Sequence, residues 1–198
     1  ASLSTPGLWA DYPGLGIDSN AVYVTANMFD FGGGFALSKF WVVDLASLLS
    51  GGPLVVNEFF DPTGGASWQP TQAFGPTGTN YLVSEGWSGS GTIRFIRILQ
   101  YAFPSGSPVL SDLGFVQVSD YGFDALSEAP QGGCASTITV NDTRLQNAVL
   151  RGGRVFTTHH VDDPFTDGVG RSEVAWYEID PLTASETAPF GVPLHEER

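Results

Sequence analysis

The chain has 198 residues, 42% of them hydrophobic and only 15% charged, enough apolar side chain to bury a core as one domain, and a composition that argues against disorder. Its 21 acids against eight bases give a net charge of −13, with Lys39 the only lysine, so no basic face exists to neutralise phosphates and nucleic acid is a poor partner. Cys134 is the only cysteine, which rules out an internal disulfide and a thiolate metal cluster, and no run approaches the roughly 18 consecutive apolar residues of a membrane span.

The opening "ASLSTPGLWADYP" has neither an initiator Met nor a signal-peptide core, as expected of a processed, trimmed or truncated product. "DYPGLGID" (11–18) then leads through a Ser19-Asn20 turn into "AVYVTAN" (21–27) and on to "KFWVVDL" (39–45). "DLASLLSGG" (44–52) has room for one helical turn, and "PLVVNEFF" (53–60) reads as an outer strand. The same order returns as "WQPTQAFG" (68–75), "NYLVSEG" (80–86), "RFIRILQ" (94–100) and "VLSDLGFVQV" (109–118). It returns again as "DTRLQNAVLRGG" (142–153), "RVFTTHH" (154–160) and "AWYEIDP" (175–181). Val22, Tyr81 and Val155 are equivalent in this alignment, as are Phe40, Phe95 and Trp176. Short β-branched and aromatic runs separated by Gly, Pro, Asn and Ser, with no helical period, read as strands.

The fold expected is all-β, with blade-like units at about 8–60, 66–118 and 142–182 and a C-terminal tail at 183–198. Units of three or four antiparallel strands that cannot each bury both faces must stack. A β-propeller of about three blades satisfies this, as a partial ring or one closed by a homodimer; a β-sandwich is the alternative. "WADYPGLGIDSNAVYVTANMFDFGGGFALSKFWVVDL", "LQNAVLRGGRVFTTHH" and "AWYEID" resemble a family of secreted or cell-surface bacterial propellers, distantly sialidase-like. The resemblance covers most of residues 8–182. It implies a propeller fold and export, and it supplies no catalytic residues. Members of that family continue into further blades where this chain diverges, from Pro181 to Arg198, which predicts a truncated propeller.

In a propeller the loops where first strands begin and second strands end converge on one face. That face should gather Asp11, Tyr12, Asn27, Trp68, Gln69, Glu85, Trp87, Arg144, His159, His160, Asp162 and Arg171. Asp11, Glu85 and Asp162 are the candidate catalytic carboxyls, since glycoside hydrolysis needs two of them roughly 5 to 10 Å apart. Tyr12, Asn27, Trp68, Gln69, Trp87, Arg144, His159, His160 and Arg171 are the candidate ligand contacts, with Trp68, Trp87, Tyr12 and Phe31 as a possible stacking platform. The stretch "TTHHVDDPFTDG" (157–168) offers Asp162, Asp163 and Asp167 to a hard ion such as Ca²⁺, but matches no EF-hand because Phe165 and Val174 fill ligand positions. An uncomplexed acidic turn is its plainer reading. His159 and His160 point to opposite faces of a strand and lack zincin spacing. Sialidase chemistry needs an arginine cluster, and only Arg144 and Arg171 qualify on this face. No G-x-S-x-G elbow or P-loop occurs. The chain therefore reads as an exported noncatalytic module binding a glycan or protein on its loop face, with calcium ordering of the acidic loop left open. A glycoside hydrolase or lyase on the same face is the alternative, and a structural subunit with interacting edges is a third.

Overall fold

The computed structural model describes residues 5–86, 94–121, 128–162 and 172–197. Among the described residues the protein is all-β apart from one capped helical turn and two 3-10 turns. Three antiparallel meanders follow one another along the chain. The first comprises β1 (Leu8–Ile17), β2 (Ala21–Asp30), β3 (Phe35–Asp44) and β4 (Val56–Phe60), with α1 (Leu45–Ser50) between the last two. The second comprises β5 (Gln69–Phe74), β6 (Thr79–Gly86), β7 (Arg94–Ala102) and β8 (Val109–Val118). A small hairpin, β9 (Ala129–Pro130) with β10 (Thr137–Ile138), intervenes and carries Cys134, exposed and free, in its loop. The third is β11 (Asn147–Arg151), β12 (Arg154–Asp162), β13 (Ser172–Ile179) and β14 (His195–Glu197).

The first strands of the meanders join them. β1 meets β5 in parallel at Ile17 and Gln72, and β5 runs parallel to β11 from Thr71–Ala148 to Phe74–Arg151. Glycine permits the first approach: a Cβ on Gly16 would stand 2.6 Å from the Thr71 carbonyl oxygen, and one on Gly14 would stand 2.5 Å from Thr25 Oγ1. The "PGLG" of β1 is thus a contact surface as well as a strand.

Burial explains the strand patterns. Tyr23, Phe40 and Val42 from the first meander pack on Trp68, Leu82, Leu99 and Tyr101 of the second. On its other side the second meander presents Tyr81, Val83, Val116 and Val118 to Leu145, Val155, Tyr177 and Ile179 of the third. The middle sheet is buried on both faces, so Tyr81-Leu82-Val83 are successively apolar, whereas β12 and β13 alternate. Each buried side chain of this size contributes about 1.5–3 kcal/mol.

α1 buries none of its residues and depends on its ends. Asp44 Oδ2 accepts from the Ser47 N–H at 2.6 Å, and Gly51, at φ 69°, closes it in the left-handed conformation. Residues 183–197, within the segment expected as a tail, fold back on the sheets. Ser185 exchanges backbone bonds with Phe115 of β8, Gly191 O accepts from Gln117 N, and β14 pairs with β13. A three-residue strand here covers an edge that β13 would otherwise leave open. Among the described residues no helix is long and apolar enough to cross a membrane.

Candidate functional site

The N-terminal ends of β1, β5 and β11 and the C-terminal ends of β2, β6 and β12 lie together. Two clamps from β2 fix the segment that enters β5. Thr25 Oγ1–H donates to the Trp68 carbonyl at 2.6 Å, while Asn27 accepts the Ser67 N–H at 2.7 Å and donates to Ser67 Oγ at 3.0 Å. Ser67 takes a left-handed φ of 58°, and Tyr12, the same distance upstream of the Ile17–Gln72 pair, takes φ 48° at a bulge in β1. Asn141, just before β11, has φ 69°. Such conformations are costly for residues with a Cβ, least so for Asn, and at Ser67 and Tyr12 they are held in place by their surroundings.

Beside them lies a cavity of about 400 Å³, lined among others by Gly64, Gly65, Ser67, Ser84, Glu85 and Arg144. Its two charged groups are both held by neighbours. Glu85 accepts from Tyr121 Oη–H at 2.8 Å and from Thr143 Oγ1–H, 2.8 and 2.9 Å from its two oxygens. Arg144 Nε–H donates to Asp142 Oδ2 at 2.7 Å, Nη2 pairs with the same oxygen, and the guanidinium carbon lies 4.2 Å from the centroid of the Tyr12 ring. Tyr12 in turn donates its hydroxyl to the Leu145 carbonyl at 3.0 Å. Burial pushes the Asp142 carboxyl up, but the Arg144 side chain, backbone N–H and charge outweigh it and hold the carboxyl below its ordinary value. The hydrogen bond to Asp142 holds Arg144 above its ordinary value, with Asp11 adding to the effect. Burial raises the Tyr12 phenol, against the pull of Arg144 and with help from Asp142 and Glu85. Arg144 thus has Asp142 and Asp11 beside it and shares the cavity with Glu85.

His159 lies beneath this layer. Its Nδ1 faces the Thr143 carbonyl at 2.6 Å, and since a carbonyl only accepts, Nδ1 carries a proton. In the neutral ring Nε2 then accepts from Tyr177 Oη–H at 2.9 Å. The Tyr121 ring meets the imidazole edge-on at 4.8 Å. His159 therefore supports the Thr143 that holds Glu85. His160, on the opposite face of β12, donates through Nδ1 to the Val140 carbonyl at 3.1 Å.

The other expected residues fall into three groups. Asp11 and Tyr12 adjoin Arg144. Asn27 and Gln69 are buried, and Trp68, though its residue lines the cavity, is 1% exposed with its ring edge-on to Phe40 and its indole N–H donating to Asp61 Oδ2 at 2.9 Å. Trp68 is a core residue in this fold, not a stacking surface. Trp87, Asp163, Asp167 and Arg171, and the side chain of Asp162, lie outside the described residues, as does the proposed calcium loop with them. Among the described residues no three His, Cys, Asp or Glu side chains gather in a way that could hold a metal.

Thr143, Asp142 and Tyr121 are the site residues that sequence reasoning passed over. Asp142 and Thr143 open the segment "DTRLQNAVLRGG" that was marked ahead of β11, but nothing in a threonine or a loop tyrosine announces a bond to a distant Glu85. Compared with protein-family models the chain matches none, and no curated protein matches it, so the geometry of this face is what a functional reading has to stand on.

Proposed function

We propose that the chain is an arc of an exported β-propeller that binds a glycan or protein ligand, without turning it over, on the face where its first strands begin. Three meanders joined first strand to first strand support blades about an axis; a two-sheet sandwich accounts less well for the parallel β1, β5 and β11. The likeness of residues 8–182 to exported propellers is the ground for export to the medium or cell surface. A second copy of the chain completes the ring, its third meander meeting the outer face of the first, where Leu15 and Ile17 are exposed.

The observation that carries the binding reading is that Glu85 and Arg144 line one cavity and are both fixed in place. Preorganised groups favour recognition because little ordering is left for the ligand to impose. A general acid must present a proton to a leaving group, whereas Glu85 Oε1 accepts from Tyr121 Oη–H and the carboxyl is held against the Thr143 hydroxyl, 2.8 and 2.9 Å from its two oxygens. The test is a screen of glycans and candidate protein ligands by calorimetry, with product analysis on every binder. Arg144→Ala should abolish binding, and the wild-type chain should return its ligand intact. A ligand converted by the wild type and left whole by Glu85→Gln would establish the hydrolase or lyase reading instead.

A further inference from the structure

The same face carries a row of aromatic rings at the tip of the first meander. Trp9 on β1 stands opposite Phe29 on β2, which stands opposite Phe35 on β3. The rings touch in series: Trp9 and Phe29 stack with centroids 5.2 Å apart and planes at 27°, and Phe29 meets Phe35 edge-on at 5.7 Å. These side chains are not core. Trp9 is 41% exposed, Phe35 44%, and Phe31 in the connecting hairpin 79%. Single exposed apolar residues need no explanation, but four aromatics on one tip form a patch.

The tip is rigidly built. Asp30 Oδ1 accepts from the N–H groups of Gly32 at 2.7 Å and Gly34 at 3.1 Å, and the Asp30 carbonyl accepts the Trp9 indole N–H at 3.1 Å. It also adjoins the cavity. Asn27 lies two residues inward from Phe29 on the same face of β2, and it bonds Ser67; Ser38, opposite Asn27, donates to the Gly65 carbonyl at 2.9 Å. Ser67 and Gly65 line the cavity, so the aromatic row begins one strand repeat, about 7 Å, from the Asn27 and Ser38 pair that holds the cavity wall.

We propose that the aromatic row and the cavity form one continuous site for a neutral oligosaccharide, with sugar rings lying on Trp9, Phe31 and Phe35 and the hydroxyls of a following unit reaching Glu85 and Arg144. This rests on the binding reading of the face and names its ligand class. The apolar face of a pyranose matches exposed rings, and its hydroxyl donors match fixed carboxylates. Charge selects against acidic sugars: Arg144 is already paired with Asp142, Asp11 and Glu85 lie nearby, and the chain carries −13 overall. A bilayer is disfavoured because aromatic anchors on anionic membranes work beside basic residues, and the residue bracketing this tip is Asp30.

The experiment titrates cellohexaose, mannohexaose and N-acetylchitohexaose, with hexagalacturonate and phosphatidylcholine vesicles as counter-probes, into the wild-type chain and into Trp9→Ala, Phe31→Ala and Arg144→Ala. At least one neutral hexaose should bind, and each of the three substitutions should weaken it about tenfold or more. Phe31→Ala changes an exposed hairpin side chain, so it keeps the test sound if Trp9→Ala unsettles the fold. A hexaose bound equally well by wild type, Trp9→Ala and Phe31→Ala, but lost with Arg144→Ala, would overturn the aromatic extension and leave the cavity as the binding site. Binding of hexagalacturonate or vesicles alone, or of a protein ligand and no hexaose, would overturn the ligand class.

Discussion

Thr25→Val should destabilise the chain by about 2 kcal/mol, although it swaps side chains of nearly equal volume. Thr25 is 2% exposed; its hydroxyl donates to the Trp68 carbonyl at 2.6 Å and accepts the Gly14 N–H at 3.2 Å. Valine removes both bonds and opens no cavity, so two backbone groups at the joint between the first two meanders lose this partner. Stranding a buried polar group costs about 1–3 kcal/mol; the added methyl group and relief of the buried hydroxyl offset part of the sum. The remainder is a sizeable share of the roughly 5–15 kcal/mol that holds a domain folded. Urea unfolding followed by tryptophan fluorescence should show the midpoint falling by about 1 M with an unchanged slope. Thr25→Ser keeps the oxygen and loses one methyl group, about 1 kcal/mol. A valine variant within about 0.5 kcal/mol of wild type, against a full unsatisfied-group cost, or a serine variant worse than valine, would refute the claim that this hydroxyl joins the meanders.

Two further outcomes are expected. Light scattering should give a native mass twice that of one chain, and Leu15→Asp, which places a charge on the exposed first-meander face, should return it to a monomer; a wild-type monomer at high concentration would remove ring closure by a second copy. The depressed Asp142 carboxyl contributes stability that is present above the unfolded carboxylate value of about 3.9 and is lost as pH falls through the lower folded value. Wild type should therefore lose more stability on acidification below about pH 4 than Asp142→Asn, by a small margin because the ion pair is partly exposed. Carboxyl NMR should show Asp142 titrating below the ordinary range; a titration at or above it would contradict the pairing with Arg144.

Individual strands were legible where a pleated chain half-buried on a core alternates, as β12 does, and where a short run is apolar throughout, as Tyr81-Leu82-Val83 is in β6. Val22, Tyr81 and Val155 each fall in the second strand of their meander, but Tyr81 and Val155 are buried where Val22 is half-buried. Legibility failed where one side chain's surroundings come from another meander. Trp68 and Trp9 are both tryptophans near the start of a first strand, yet one is sealed beneath Phe40 and the other lies open beside Phe29. The difference is that β5 belongs to a sheet covered on both faces, whereas β1 and β2 pair out to Leu8 and Asp30, beyond the start of β5. β14 was equally invisible, because His195-Glu196-Glu197 has no strand propensity and is extended only through its bonds to β13.

The amino-acid sequence by itself determined the all-β class, the strands β1 to β8 and β11 to β13 in their order, the helical turn after Asp44 and the net acidity, since these depend on period, turn chemistry and summed charge. Tertiary structure alone decided that Thr143 and Tyr121 hold Glu85, that Asp142 and Tyr12 hold Arg144, and that His159 is a buried support. Contacts on this face join residues as much as 133 positions apart, as Tyr12 and Leu145 are. Hydrogen bonds and ring contacts act over a few ångströms of space, and separation along the chain carries no measure of that distance until the sheets have stacked.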